Sequence, residues 1–159
     1  MSRVLVTGAS GFVGRALCPA LSAAGHEPIG VVRQGVSGDN PAVAAQRTIA
    51  EIGPDTDWRD ALDGIDAVIH LAARVHRRGE SGTEALAHHR RINRDGTRRL
   101  AEAAATAGVR RFVFLSTVKV MGERTGDHPF SETDRPQPED AYAISKWEAE
   151  QALAEIARG

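Results

Sequence analysis

Short, continuously apolar runs alternate with amphipathic stretches along the whole chain. Val4-Leu5-Val6 has the pattern of a buried strand, and Phe12 to Ala24 that of a helix with Val13, Leu17 and Leu21 on one face. Ala24-Gly25-His26 stops that helix, and Pro28 to Val32 is the next strand. After a polar, glycine-bearing stretch come a weak helical pattern over Pro41 to Gln46 and a short third strand over Thr48 to Ile52. Asp57 to Leu62 predicts a helical turn or two with Asp57 as N-cap. Asp66 to Leu71 is a fourth strand, followed by a charged, glycine-bearing loop from Arg74 to Gly82. A long helix is predicted from about Thr83 to Ala107, with Leu86, Asn93, Leu100 and Ala104 on one stripe and Gly108 ending it. Arg111 to Ser116 is the fifth strand, 122–140 a proline-bearing loop, and Ala141 to Arg158 the last helix.

Strands that are apolar throughout, and separated by helices, predict a parallel sheet covered on both faces. Right-handed crossovers then give an α/β, doubly wound, Rossmann-type fold. The 159 residues suit one such domain, 1–159.

Composition narrows the picture. A net charge of -1 gives no electrostatic footprint for nucleic acid. No apolar run approaches the ~20 residues of a membrane span. A strand begins at Arg3, which leaves no room for a signal peptide and predicts a cytoplasmic protein. Cys18 stands alone, so neither an internal disulfide nor a multi-cysteine metal site is expected. His76, His88 and His89 do not form a metal pattern, because adjacent histidines on a helix point apart. The basic residues are two lysines against eighteen arginines. Arg77-Arg78 and Arg90-Arg91 read first as solvated faces.

Two features carry chemistry. Thr7-Gly8-Ala-Ser-Gly11-Phe-Val-Gly14 joins the first strand to the first helix. Glycines there let the backbone turn sharply and approach a pyrophosphate, which the helix N-terminus then binds. Strand two ends in Arg33, where an acid would receive the adenosine ribose of NAD and an arginine suits the 2′-phosphate of NADP. The cofactor reading is NAD or NADP, both open. The second feature is Tyr142-Ala-Ile-Ser-Lys146, with the chain's one tyrosine and one of its two lysines. At i and i+4 on a helix they share a face, and a nearby ammonium favours phenolate, the form that acts as a base. The same spacing also suits a surface helix with a solvated lysine.

With these elements in order, the chain resembles the extended short-chain dehydrogenase/reductase family, in its nucleotide-sugar epimerase/dehydratase branch. The resemblance runs through the glycine turn, His70-Leu-Ala-Ala73, Asn93-Arg-Asp-Gly96-Thr97, Leu115-Ser-Thr117, Pro129-Phe-Ser-Glu132 and Tyr142-x-x-x-Lys146. It implies that Gly8, Gly11 and Gly14 hold the pyrophosphate with Phe12 and Val13 beside it. Glu51 would face the adenine, and Leu71, Ala72 and Ala73 would line the cofactor. Thr117 would orient the sugar oxygen, Tyr142 would be the base, and Lys146 its electrostatic partner on the nicotinamide ribose. Asn93 would fix the long helix and the hydrogen bonds of the site. The implied activity is NAD(P)-dependent epimerisation of a nucleotide-sugar, of UDP-hexose 4-epimerase type, through a 4-keto intermediate. A sugar or small-carbonyl reductase of the same fold and a non-catalytic dinucleotide-binding module are the alternatives. Val118-Lys119 stands where dehydratases of the family carry an Asp-Glu pair, which argues against dehydration. The resemblance further implies a homodimer through the long and final helices. It also implies a C-terminal substrate domain that these residues do not include, so the domain reads as truncated before it.

Overall fold

The computed structural model describes residues 1–34, 43–75 and 82–158. The strands β1 (Arg3–Thr7), β2 (Glu27–Arg33), β3 (Ala45–Ile49), β4 (Ala67–His70) and β5 (Arg111–Phe114) form one sheet in the order β3-β2-β1-β4-β5. Every neighbouring pair is parallel. The fold is thus the doubly wound Rossmann type. The chain winds outward from β1 to β3, then returns to place β4 on the other side of β1. The carboxyl ends of β1 and β4 are therefore the switch point, where a crevice opens.

Each face of the sheet has its own apolar cluster. Leu5, Ile29, Val31, Ile49 and Val68 point to the face covered by α2 (Arg59–Leu62) and α4 (Gly96–Thr106), against Trp58, Leu62, Leu100 and Ala104. Val4 and Val6 point to the opposite face, where α1 (Phe12–Ala23) packs Cys18, Leu17 and Leu21 against them. Trp58 is fully buried, as a packing residue should be. Among the described residues no helix is long and apolar enough to cross a membrane.

Three sequence expectations need correction. The third strand is Ala45–Ile49, three residues before its expected start. It is an edge strand with exposed polar positions, so apolarity does not mark it. The weak helix expected over Pro41 to Gln46 falls partly outside the described residues, and from Ala45 the chain is strand. Asp57 is not the N-cap of α2, which is Trp58. Its carboxylate instead accepts from the Arg59 N–H at 3.1 Å and grips the Arg59 guanidinium.

The long helix is also more than one regular helix. It comprises α3 (Gly82–His89), a π-helical turn over Arg90–Asp95, and α4, closed by Gly108 at φ 74°. Its buried positions Ala85, His89, Asn93, Thr97 and Ala101 recur every fourth residue. A pure α-helix would rotate such a row steadily out of contact, and the wider π turn brings it back. Against α3, the π turn and α4 lies α5 (Ala141–Ile156), begun by Asp140, whose side chain accepts from the Ala143 N–H at 2.6 Å.

Candidate active site

A cleft of about 520 Å³ opens over the carboxyl end of the sheet at the switch point. Its walls include Gly8, Gly11, Phe12, Val13, Gly14, Arg33, Glu51, Leu71, Ala72 and Ala73. Gly8 has φ 71°, and a Cβ on it would lie 2.9 Å from the Ala72 nitrogen. A Cβ on Gly14 would lie 2.4 Å from the Gly8 oxygen and 2.5 Å from that of Ala9. No side chain caps α1, and an uncapped helix start offers N–H groups to an anion. A bare backbone cradle at a helix start fits a dinucleotide pyrophosphate. Phe12, 96 % exposed, stands at the lip of the cleft. Glu51 is held by Arg91 at 3.0 Å, which leaves its carboxylate already paired.

Of the other candidates, Tyr142 and Lys146 lie on α5, Thr117 follows β5 and Asn93 lies in the π turn, and Lys146 meets the cleft through Leu115. Lys146 is 1 % exposed, and its ammonium donates to the Leu115 carbonyl at 2.6 Å and lies 3.8 Å from the centre of the Phe114 ring. Leu115 in turn lines the cleft. Burial pushes the Lys146 ammonium down to about 8, with Glu150 acting weakly the other way. The Tyr142 phenol is half-buried, and the Thr117 side chain is a neighbour that favours its phenolate.

The expected depression of the Tyr142 phenol by Lys146 is corrected here. The phenol lies above its usual value, chiefly through burial; Thr117 and Lys119 pull it down and Asp140 pushes it up. The reason is geometric: the Lys146 ammonium is committed to the Leu115 carbonyl and the Phe114 ring.

Asn93 lies in the π turn, 2 % exposed, and is not part of the cleft wall. Its amide spans three segments. It accepts from the Arg74 N–H at 2.8 Å, and donates to the Arg74 carbonyl at 3.0 Å and the Ser145 hydroxyl at 2.9 Å. It thereby ties the loop after β4 to the long helix and to the residue preceding Lys146.

A second buried network underlies the cleft floor. Thr7 and His70 are register partners on β1 and β4, so their side chains share a face. The Thr7 hydroxyl meets His70 Nδ1 at 2.6 Å and accepts the Ala72 N–H at 3.1 Å; His70 Nε2 meets the Thr97 hydroxyl at 3.0 Å. Burial, with the Lys146 charge second, pushes the imidazole down to about 3, so it is neutral at physiological pH.

The remaining candidates are structural. Arg90 grips Glu148 on α5 at 2.8 Å, and Arg91 holds Glu51. Arg77, Arg78 and His76 lie outside the described residues. His88 is exposed while His89 is buried, and among the described residues no His/Cys/Asp/Glu group forms a metal cage.

The profile of the NAD dependent epimerase/dehydratase family matches residues 4–159. The chain belongs to that family. A UDP-glucose 4-epimerase of Vibrio cholerae is 36 % identical over 157 residues, covering 98 % of this chain and 47 % of that protein. A 3-beta-hydroxysteroid dehydrogenase of Mycolicibacterium neoaurum is 35 % identical over 161 residues, covering 94 % and 42 %. Among solved structures, MoeE5 in complex with UDP-glucose and NAD superposes with a TM-score of 0.81 at 33 % identity, covering 99 % of this chain and 50 % of that one. The chain spans about half the length of the relatives it matches.

The hydrogen bonds of the structure also show what residue-by-residue reading missed. Thr7 at the end of β1, Thr97 in α4 and Ser145 in α5 carry no local signal of the hydrogen bonds they make, since a hydroxyl residue in a strand or helix is ordinary. Their importance depends on partners 63, 27 and 52 residues away. His70 was visible as part of a motif, but not as a hydrogen-bonded core residue.

Proposed function

We propose that this chain forms the cofactor-binding and catalytic part of an NAD(P)-dependent nucleotide-sugar epimerase of UDP-hexose 4-epimerase type. The observation that carries the reading is the buried Lys146, one turn beyond Tyr142 on α5, whose ammonium holds the carbonyl of Leu115 in the wall of the glycine-lined cleft. A bound nicotinamide dinucleotide supplies hydride acceptance and return at the sugar carbon. Gly8, Gly11 and Gly14 hold its pyrophosphate. Tyr142 takes the proton of the sugar hydroxyl and later returns it, and Thr117 orients that oxygen. Lys146 is the cationic partner, and its low proton affinity leaves it responsive to a ligand placed beside it. Asn93 and Ser145 hold the helix that carries both. The homodimer through the long helix and α5 belongs to the same proposal.

The test is a turnover assay with UDP-glucose and UDP-galactose, run alongside calorimetry with NAD and NADP. Interconversion of the two sugars without net reduction of cofactor supports the epimerase. Net oxidation or reduction of added cofactor supports the reductase alternative, which the match to a steroid dehydrogenase favours. Binding without turnover supports a non-catalytic module. Failure to bind either dinucleotide overturns all three.

Arg33 gives a second expectation. It lines the cleft, and the one carboxylate among the described lining residues, Glu51, is already paired with Arg91, so that group repels a 2′-phosphate little. Arg33→Asp should weaken NADP binding about tenfold or more and leave NAD binding nearly unchanged. Equal losses for both cofactors, measured by calorimetry, would show that Arg33 does not discriminate.

A further inference from the structure

Leu115-Ser116-Thr117 leads from β5 into the 3-10 turn Val118–Met121, and the reaction proposed above leaves its middle residue without a task. The ends of the segment are fixed by the backbone. The Leu115 N–H donates to the His70 carbonyl at 3.1 Å, where the sheet ladder ends. The Val120 N–H donates to the Thr117 carbonyl at 3.2 Å, where the turn begins. Between these points the chain leans on α5. The Lys146 ammonium donates to the Leu115 carbonyl at 2.6 Å, and the Ser116 hydroxyl donates to the Glu150 carboxylate. Lys146 and Glu150 stand four residues apart, on one face of α5. Neighbouring residues of the strand exit are thus held by successive turns of one helix.

We propose that Glu150 is a positioning residue of this site, holding Ser116 so that the Thr117 hydroxyl next along the chain keeps its place. Its effect on turnover rests on the role proposed for Thr117; its hold on the segment does not.

Its partner sets Glu150 apart from the other carboxylates of α5. Those meet guanidinium groups, Glu148 that of Arg90 at 2.8 Å and Glu155 that of Arg98 at 3.3 Å. Glu150 instead faces the strand exit and accepts from a hydroxyl. Both partners are half-buried, and a hydrogen bond to a charged acceptor is stronger than one between neutral groups. Ser116 and Thr117 share one rigid peptide plane, so a segment released at Ser116 moves at Thr117 as well. Thr117 is extended, at φ -148° and ψ 145°, and its Oγ1 accepts the Lys119 N–H at 3.3 Å to cap the turn. That last bond reports where the Thr117 hydroxyl stands.

The experiment is amide hydrogen exchange at Lys119, followed by nuclear magnetic resonance on the full chain without substrate or cofactor. Glu150→Ala should speed that exchange about tenfold and leave the amides of β1 unchanged. Glu150→Gln, whose side-chain oxygen still accepts from Ser116, should stay within about twofold of the parent. Ser116→Ala should match Glu150→Ala, and the double variant should go no further, since each change removes the same bond. Should Glu150→Ala not fold, Ser116→Ala and Glu150→Gln make the same comparison. In the turnover assay, kcat should fall about tenfold in Glu150→Ala and in Ser116→Ala, and recover in Glu150→Gln. Unchanged exchange at Lys119 in Ser116→Ala overturns the proposal, as do additive effects in the double variant. A kcat held at the parent level while exchange speeds up overturns it too. A parent chain without turnover counts against the epimerase reading alone, and exchange at Lys119 then decides whether Glu150 places Thr117.

Discussion

Tyr142→Phe should lower sugar turnover by about 10²–10⁴-fold, the usual contribution of a positioned general acid–base group. Dinucleotide binding should change by no more than a few-fold. The substitution removes one oxygen and keeps the ring that meets His89 edge-on, so the packing of α5 on α3 survives. Thr117 loses the phenol beside it, and a half-buried threonine readily turns to water or substrate. Initial rates together with calorimetric cofactor affinity check the expectation. A variant that keeps its rate removes Tyr142 from the chemistry. A variant that loses rate and cofactor binding together points to a packing defect instead.

The second large effect belongs to Gly14. An alanine Cβ there would meet the Gly8 oxygen at 2.4 Å, the Ala9 oxygen at 2.5 Å and the Ala9 Cα at 2.6 Å. All three are backbone atoms, so no side-chain rotation relieves the overlap. The glycine turn and the start of α1 must move apart, at a cost of about 3 kcal/mol, the upper end of ordinary overpacking. Gly14→Ala should therefore lower the denaturation midpoint and abolish measurable dinucleotide binding, because the cradle itself is what shifts. Gly11→Ala is the milder comparison, since its Cβ would lie 3.1 Å from a single oxygen. Equal stability for Gly14→Ala and the parent chain would contradict the packing described here.

What could be read in advance follows from the range of the forces involved. The glycine turn and the Tyr142, Lys146 spacing are local, and each states its chemistry within a few residues. Strands β1, β2 and β4 were visible because both their faces are buried, which requires apolar residues throughout. At β3 the sheet ends, its positions Gln46 and Thr48 lie open to water, and the pattern disappears. The π turn left no compositional mark, because it arises from a need to keep every fourth residue facing inward. The destination of the Lys146 ammonium was equally hidden. Spacing predicts a shared helix face with Tyr142, but a carbonyl 31 residues earlier in the chain captures the charge.

The buried ladder of Thr7, His70 and Thr97 has a consequence for how the sheet assembles. Sliding β4 by one residue along β1 would move His70 to the opposite face, among Val4, Val6 and Cys18. There the imidazole would lose both hydroxyl partners, at about 1–3 kcal/mol for each polar atom left unsatisfied. Parallel neighbours as uniformly apolar as β1 and β4 discriminate poorly between alignments by hydrophobicity alone. The histidine supplies the missing discrimination, as a key that fits a single notch, and so guards the chain against misregistered folding.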